Sequence, residues 1–168
     1  MAENKYKDTL NLPKTEFPMA ASLVQMEPRM RERWEKEDLY RQIQNAREGA
    51  PLWVLHDGPP YANGDVHVGT GQNKILKDMV VKFRTMMGFR SPYVPGWDCH
   101  GLPIEHKVLK DLGPKARELP KSEIRKLCLE FARKYIDLQR RQFKSLGILG
   151  EWEKPYITIH PEYELGII

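Results

Sequence analysis

The fold is decided by residues 52–88, LWVLHDGPPYANGDVHVGTGQNKILKDMVVKFRTMMG. The first five residues, 52–56, are almost wholly apolar, as expected for a strand covered on both faces in a parallel sheet. Residues 57–65 hold two Gly, two Pro, two Asp and one Asn, which predicts a loop. From about 70 to 87 the apolar residues recur at spacings of one, three and four, which predicts a helix ended by Gly88.

A second unit of the same kind follows along the chain. Residues 89–94 predict another short strand, which ends at Pro95 and Gly96. The polar segment WDCHGLPIEHK at 97–107 predicts a loop that leads into a short helix near 105–112. The resulting βαβα order predicts an open α/β sheet with parallel strands, in which ligands bind beyond the carboxyl ends of the strands. Both polar loops follow predicted strands, so we expect both to face that crevice.

The other segments flank this unit. The first 20 residues mix charges with prolines and predict an extended arm, and residues 27–46 predict an amphipathic helix. Residues 122–146 predict a long helix that is capped by Ser122 and ended by Gly147. Residues 156–159 predict a strand. The predicted buried face of the long helix is Ile124, Leu127, Cys128, Phe131, Tyr135 and Leu138, with Arg133, Lys134, Arg140 and Arg141 on a basic opposite side.

Composition limits the class of protein. With 168 residues, 40% apolar and 30% charged, the chain has the size and make-up of an ordinary globular domain. No stretch approaches the ~20 apolar residues of a membrane-spanning helix, and the start MAENKYKD has no apolar signal core. Cys99 and Cys128 are too far apart for a CxxC pair, which favours a reducing cytoplasm. The net charge of +4 is compatible with an anionic partner and equally with a solvated surface of mixed charge.

The sequence His67-Val68-Gly69-Thr70 at the start of the helix after the first loop is a candidate phosphate site. A helix N-terminus has unpaired amide donors and partial positive charge, and Gly69 lets a flat ligand approach the backbone. His67 and Thr70 are three residues apart and therefore project from the same side of the helix. The alternative is that His67 is a structural residue beside a helix cap.

The second candidate site lies in GWDCHGLPIE, residues 96–105. An acidic residue at the mouth of a parallel sheet, here Asp98, can hold an ammonium group, with apolar walls from nearby Trp and Pro. Cys99, His100 and His106 are possible zinc ligands, but their spacing matches no standard zinc pattern. Cys128 lies on an apolar helix face and is expected in the core.

Read together, LHDGPPYANGDVHVGTGQNKILKD (55–78) and SPYVPGWDCHGLPIEHKV (91–108) resemble the amino-terminal catalytic half of bacterial isoleucyl-tRNA synthetases. TLNLPKTEFPM near the start and LGILGEWEKPYITIHPEYE near the end do so too. GWDCHGLPIE favours the isoleucine enzymes over their valine and leucine relatives. The resemblance implies residues 1–50 as an N-terminal arm and helix, and 51–168 as the first half of the class I catalytic domain, truncated near the start of the editing insertion. That half contains the first half of a Rossmann-like parallel sheet with flanking helices.

The resemblance also implies an activity. The family joins isoleucine to ATP as an adenylate, with Mg²⁺ accompanying the ATP, and then passes the aminoacyl group to isoleucine tRNA. It implies a cytoplasmic protein, monomeric at full length, that does not contact membranes and has no metal site in this segment. By motif, the ATP site comprises His67, Gly69 and Thr70, with His67 and Thr70 catalytic. The loop before it contributes Pro60, Tyr61, Asn63 and Gly64, and the amino acid contacts Pro59 and Asp98.

Two departures from the family pattern bear on activity. Thr70 stands where the family's HIGH signature ends in histidine, and the lysine-rich KMSKS loop has no counterpart here, since PKSEIRK at residue 120 opens a helix. We therefore expect a fragment that is weak or inactive alone. The alternative is a non-catalytic nucleotide- or tRNA-binding descendant of a class I synthetase. A dinucleotide-binding oxidoreductase is disfavoured because no G-x-G-x-x-G follows the first strand.

Overall fold

The computed structural model describes Thr9, Asn11, Glu16 and residues 22–167. The predicted arm over the first 20 residues lies outside the described residues, apart from those three positions. No helix in the described part of the chain combines the length and apolar character needed to cross a membrane. The elements in chain order are α1 (Leu23–Lys36), α2 (Leu39–Ala46), α3 (Val68–Met86), β1 (Gly96–Trp97), α4 (Leu102–Leu112), a 3-10 helix (Gly113–Arg117), α5 (Lys121–Ser145), β2 (Tyr156–Ile157) and α6 (Pro161–Leu165).

The sheet is parallel, as predicted, but its strands are short. β1 pairs with β2, with Gly96 opposite Tyr156 and Trp97 opposite Ile157. Isolated parallel bridges join Leu52 to Arg90 and Tyr61 to Asp98. The predicted α/β class is confirmed. The predicted extents of the strands are wrong, because the strands predicted at 52–56 and 89–94 are reduced to the single Leu52–Arg90 bridge.

β1 begins at Gly96, where the second predicted strand (89–94) was expected to have ended. Tyr93 cannot continue a ladder because its backbone is already bonded: its N–H donates to the Tyr40 hydroxyl (3.1 Å) and its carbonyl accepts from Glu151 N–H (2.9 Å). Pairing with β2 starts at the Pro95 carbonyl, which accepts from Tyr156 N–H (3.1 Å). A proline that ends a strand locally can therefore stand at its start, as long as only its carbonyl takes part.

The helix predicted at 27–46 is in fact two helices. Asp38 has φ +50°, a left-handed conformation that a regular helix cannot contain, and it separates α1 from α2. The long helix α5 begins at Lys121 with Pro120 as its N-cap, so Ser122 lies in the first turn and does not cap it.

α3 buries polar residues and exposes its apolar stripe. The residues it buries are Gly71, Lys74, Asp78 and Val81. Met79, Phe83 and Met86 are more than half exposed. Asp78 accepts hydrogen bonds from Lys82 (2.5 Å) and from Leu149 N–H (3.1 Å), which ties α3 to the segment after α5. The predicted helix is confirmed, but two of the four residues that it buries are charged.

The core lies between α4, α5 and the sheet. The predicted face of α5 is only half-buried, and the buried stripe of the helix is Ala132, Ile136, Gln139 and Phe143. Arg140 does not belong to the basic opposite side as predicted, because its guanidinium lies 5.8 Å from the centre of the Trp97 ring. The buried apolar residues are Ala62, Val81, Tyr93, Trp97, Cys99, Ile104, Val108, Ala132, Ile136, Phe143, Ile148, Trp152 and Ile157.

Candidate functional site

The two polar loops of the sequence analysis meet at the sheet. We call residues 57–66 loop A and residues 98–101 loop B. The Tyr61–Asp98 bridge joins them: Asp98 N–H donates to the Pro60 carbonyl (2.9 Å) and Ala62 N–H donates to the Asp98 carbonyl (3.1 Å). Loop A leads into α3 and loop B leads into α4. The expectation that both loops face one edge of the sheet agrees with this arrangement.

His67 is the N-cap of α3. Its Nδ1 accepts from Thr70 N–H (3.3 Å), and its Nε2 lies 2.9 Å from Thr70 Oγ1. Because Nδ1 accepts from an amide, the proton of the neutral ring is on Nε2, which donates to the threonine hydroxyl. The structure therefore brings His67 and Thr70 together, as their spacing predicts, and gives His67 a capping role as well.

Gly69 has no side chain, and this absence makes room for the His67 ring. A Cβ added there would lie 3.1 Å from Cε1 and 3.2 Å from Nδ1 of His67. The missing side chain leaves room for the imidazole to fold over the first turn. The exposed surface beside it contains the N–H groups of Val68 and Gly69, which a helix leaves without intrahelical acceptors. An anion can accept from such groups.

Asp98 places a half-buried carboxylate at the end of β1. Among the described residues, its side chain accepts one hydrogen bond, from His100 N–H (3.3 Å). The remaining acceptor capacity of the carboxylate suits a cationic partner such as an ammonium group. Of the apolar residues predicted to wall this position, Trp97 is fully buried in the core and Pro103 is half-buried.

The other predicted residues of loop A are spread along its exposed side. Pro59 and Pro60 are half-buried, and Tyr61 is 46% exposed. Asn63 Nδ2 donates to the Pro103 carbonyl (3.5 Å), which links loop A to the start of α4. Nothing lies within 4 Å of the position that a Cβ on Gly64 would occupy.

The zinc alternative finds no support in the contacts of its residues. Cys99 Sγ donates to the Trp97 carbonyl (3.7 Å), and His100 Nε2 lies 3.1 Å from the Thr158 carbonyl. Within the described ranges there is no group of three His, Cys, Asp or Glu side chains placed to hold a metal ion. Burial raises the pKa of the Cys99 thiol to about 11.

A buried ion pair, which was not predicted from the sequence, joins the start of loop A to α3. Asp57 Oδ2 contacts Lys74 Nζ and accepts from Gly96 N–H (3.0 Å), and Oδ1 accepts from Lys77 Nζ (2.7 Å). Burial alone would raise the pKa of Asp57, but attraction to Lys74 and these hydrogen bonds outweigh it and hold the pKa below its usual range. Lys74 also donates to the Tyr93 hydroxyl (3.1 Å). This cluster joins loop A, α3 and β1.

The available signal for this cluster was a lysine pair on α3. Lys74 and Lys77 are three residues apart, on the side of the helix that faces back to loop A. Gln139, in the buried stripe of α5, was missed too, and a polar residue at an apolar spacing was the signal for it. A cavity of about 560 Å³ lies between α1, α2 and residues 141–153, and none of the predicted site residues lines it.

The sequence comparisons with known proteins agree on one family. A sequence profile described as tRNA synthetases class I (I, L, M and V) matches residues 29–168. The isoleucine–tRNA ligase of Kosmotoga olearia is 61% identical over 163 residues, which is 97% of this chain and 18% of that protein. The isoleucine–tRNA ligase of Thermotoga maritima is 60% identical over 164 residues, 98% of this chain and 18% of that protein. The chain thus spans about a fifth of the length of these relatives.

Among solved structures, the chain is similar in fold to the LeuRS of Agrobacterium radiobacter K84 (agnB2), determined in a ternary complex with tRNA and LeuAMS. The TM-score is 0.66 at 20% sequence identity, over 87% of this chain and 17% of that one. At this level of identity the likeness concerns the fold alone.

Proposed function

The chain belongs to the class I tRNA synthetases of the isoleucine, leucine, methionine and valine group, and from this we propose that it is the amino-terminal part of the catalytic domain of an isoleucine–tRNA ligase. The observation that carries the proposal is the junction of the two loops. It places the His67 end of α3 and the Asp98 carboxylate on adjoining segments, held by the Tyr61–Asp98 bridge. A ligand with a phosphate and an ammonium group can span the two.

In the proposed reaction, an isoleucine carboxylate oxygen attacks the α-phosphorus of ATP, and pyrophosphate leaves. The second step transfers the aminoacyl group from the adenylate to the terminal ribose of isoleucine tRNA, releasing AMP. The chain's part in the first step is positioning and charge stabilisation. Mg²⁺ enters as the complex with ATP and supplies positive charge at the phosphates.

We assign the phosphate contacts to His67, Gly69 and Thr70. The exposed N–H groups of Val68 and Gly69 face a bound phosphate, and His67 Nε2–H turns from the threonine hydroxyl to a phosphate oxygen. Thr70 then has a free hydroxyl to donate. Relative to the histidine of the family signature it lacks one charge-assisted contact, worth about 1.5–3 kcal/mol.

We assign the amino acid to the loop A and loop B side. Asp98 accepts the ammonium group of isoleucine, and Pro59 packs against its side chain. Pro60, Tyr61, Asn63 and Gly64 form the wall that connects this position to the phosphate end. Fit alone distinguishes isoleucine from valine by about 1–3 kcal/mol for one methylene.

Calorimetric titration of the purified chain tests the proposal with three ligands: MgATP, isoleucine and a sulfamoyl analogue of isoleucyl-adenylate. We expect the analogue to bind most tightly, because it occupies both positions. His67→Ala should weaken MgATP binding about 10-fold or more, and Asp98→Asn should weaken isoleucine binding by a similar factor. His106→Ala, at an exposed histidine of α4, is the matched control and should change neither affinity.

His67→Ala also removes a helix cap, so a second variant is needed. Asn caps helices well, but its short amide side chain has no counterpart of the imidazole Nε2–H. His67→Asn should therefore keep the thermal stability of the chain and still lose MgATP affinity. Equal MgATP affinity for the chain and His67→Asn would contradict the phosphate assignment.

The isolated chain should show little isoleucine-dependent ATP–pyrophosphate exchange, because it has no counterpart of the KMSKS loop. Rapid exchange would overturn that expectation. Binding of MgATP without binding of isoleucine would favour the alternative, a nucleotide-binding descendant that has lost catalysis. Thr70→His should raise MgATP affinity by about 10-fold if the missing imidazole is what limits it.

A further inference from the structure

Gln139 is a buried amide in the middle of an apolar helix face. The buried residues of α5 are spaced four, three and four apart, and Gln139 is 3% exposed among Ala132, Ile136 and Phe143. Burying an amide is unfavourable unless its donors and acceptor are bonded. The partners of Gln139 therefore indicate what the residue does.

The amide nitrogen of Gln139 contacts loop A, and its amide oxygen contacts β1. Its Nε2 donates to the carbonyls of Tyr61 (3.0 Å) and Gly64 (2.8 Å), both in loop A. Its Oε1 accepts from the indole N–H of Trp97 (3.0 Å), the residue before Asp98. Two carbonyls require the NH₂ group and an indole requires the oxygen, so the orientation of the amide is unambiguous.

Gln142, one turn further along α5, also bonds loop A through both groups of its amide. Its Oε1 accepts from Val66 N–H (2.9 Å), and its Nε2 donates to Asp65 Oδ1 (2.7 Å). Val66 directly precedes His67, the cap of α3. We call Gln139 and Gln142 together the amide clamp.

We propose that the amide clamp sets the separation between the phosphate-binding end of α3 and the ammonium-binding end of β1, and that Gln139 and Gln142 are positioning residues for adenylate formation. This inference rests on the proposed function. α5 is a continuous 25-residue helix, and through the clamp it holds loop A on one side and the residue next to Asp98 on the other. An error of about 1 Å in the placement of reacting groups can cost on the order of 100-fold in rate.

The clamp predicts a difference between ligands that occupy one position and a ligand that spans both. Gln139→Glu keeps the acceptor for Trp97 but directs an oxygen at two carbonyls, so loop A should shift relative to β1. Calorimetry should show affinities for MgATP and for isoleucine within about 3-fold of the unchanged chain. Affinity for the sulfamoyl analogue of isoleucyl-adenylate should fall by about 10- to 100-fold. A purely structural role would lower all three affinities together.

The pH dependence gives a second readout. When the introduced carboxyl of Gln139→Glu is protonated it has one O–H donor for a loop A carbonyl, so analogue affinity should partly recover as the pH is lowered. The matched control is Arg133→Met, at an exposed position of the same helix, which should leave all three affinities unchanged. If Gln139→Glu does not fold, Gln142→Met carries the test with the three ligands, because the Gln142 side chain is only half-buried and is bonded to loop A alone.

Hydrogen exchange separates failure of this inference from failure of the proposed function. Without any ligand, Gln139→Glu should speed exchange of the Asp98 and Ala62 amides, which form the bridge between the loops, by about 10-fold or more. Unchanged exchange, or equal losses of affinity for all three ligands, would overturn the clamp. If the unchanged chain binds none of the ligands while exchange responds as expected, Gln139 does hold loop A against β1, but the proposed function fails and the positioning role in adenylate formation fails with it.

Discussion

Replacing Lys74 by methionine removes one partner of a buried ion pair while nearly conserving side-chain length. The Lys74 and Asp57 side chains are 1% and 0% exposed. Removing one partner of such a pair costs about 3–5 kcal/mol, because the other charge stays buried. Asp57 keeps two donors, Lys77 Nζ at 2.7 Å and Gly96 N–H at 3.0 Å, which places the loss at the lower end. We expect Lys74→Met to lower the free energy of unfolding by about 3 kcal/mol.

Urea unfolding followed by tryptophan fluorescence measures this loss. Lys77→Met is the matched control: it contacts the same carboxylate but is 17% exposed, and screening should keep its cost to about 1 kcal/mol. The double variant Asp57→Asn/Lys74→Met removes both charges and should be more stable than Lys74→Met alone. The reasoning is refuted if Lys74→Met costs no more than Lys77→Met, or if the double variant shows the sum of the single losses.

Three further predictions concern the same region. Gly96→Ala should destabilise the fold by more than about 2 kcal/mol, since the added Cβ would lie 2.0 Å from the facing tyrosine ring of β2, whereas Gly64→Ala, in open space, should cost under about 1 kcal/mol in urea unfolding. The lowered pKa of Asp57 makes its stabilisation complete above about pH 4 and lost as the pH falls through the folded value, so the stability difference from Asp57→Asn should shrink as the pH falls below about 4. At pH 8 a thiol reagent should modify Cys128 well before Cys99, whose buried thiol has a pKa of about 11, and equal rates for Cys128→Ser and the unchanged chain would contradict this.

The positions of the long helices could be predicted from the sequence because they depend on local pattern. Periodicity located α3 and α5 to within a few residues, and the glycine-rich loop was correct. The extents of the strands were wrong because pairing depends on partners elsewhere in the chain. Tyr93, for example, has strand-like neighbours, yet its backbone is bonded to a tyrosine hydroxyl 53 residues earlier in the chain.

Burial was predictable only where it follows hydrophobicity. On α3 the stripe containing Met79 and Phe83 is exposed, while Lys74 and Asp78 are buried. Both polar residues have partners on other segments, Asp57 at the start of loop A and Leu149 after α5. A polar side chain is buried when such partners exist, and a single sequence does not reveal pairs that are 17 and 71 residues apart.

The two interpretations of His67, helix cap and phosphate ligand, are compatible because they use different atoms. Capping engages Nδ1, which accepts from Thr70 N–H, and it fixes the plane of the ring. Nε2 is then held toward the open surface at the start of α3, in a neutral contact with Thr70 Oγ1. A phosphate oxygen forms a hydrogen bond roughly twice as strong as a neutral acceptor does, so it can replace the threonine hydroxyl with a gain in free energy. The cap therefore orients the ring before a ligand arrives, and the entropic cost of ordering that side chain is met on folding and not on binding.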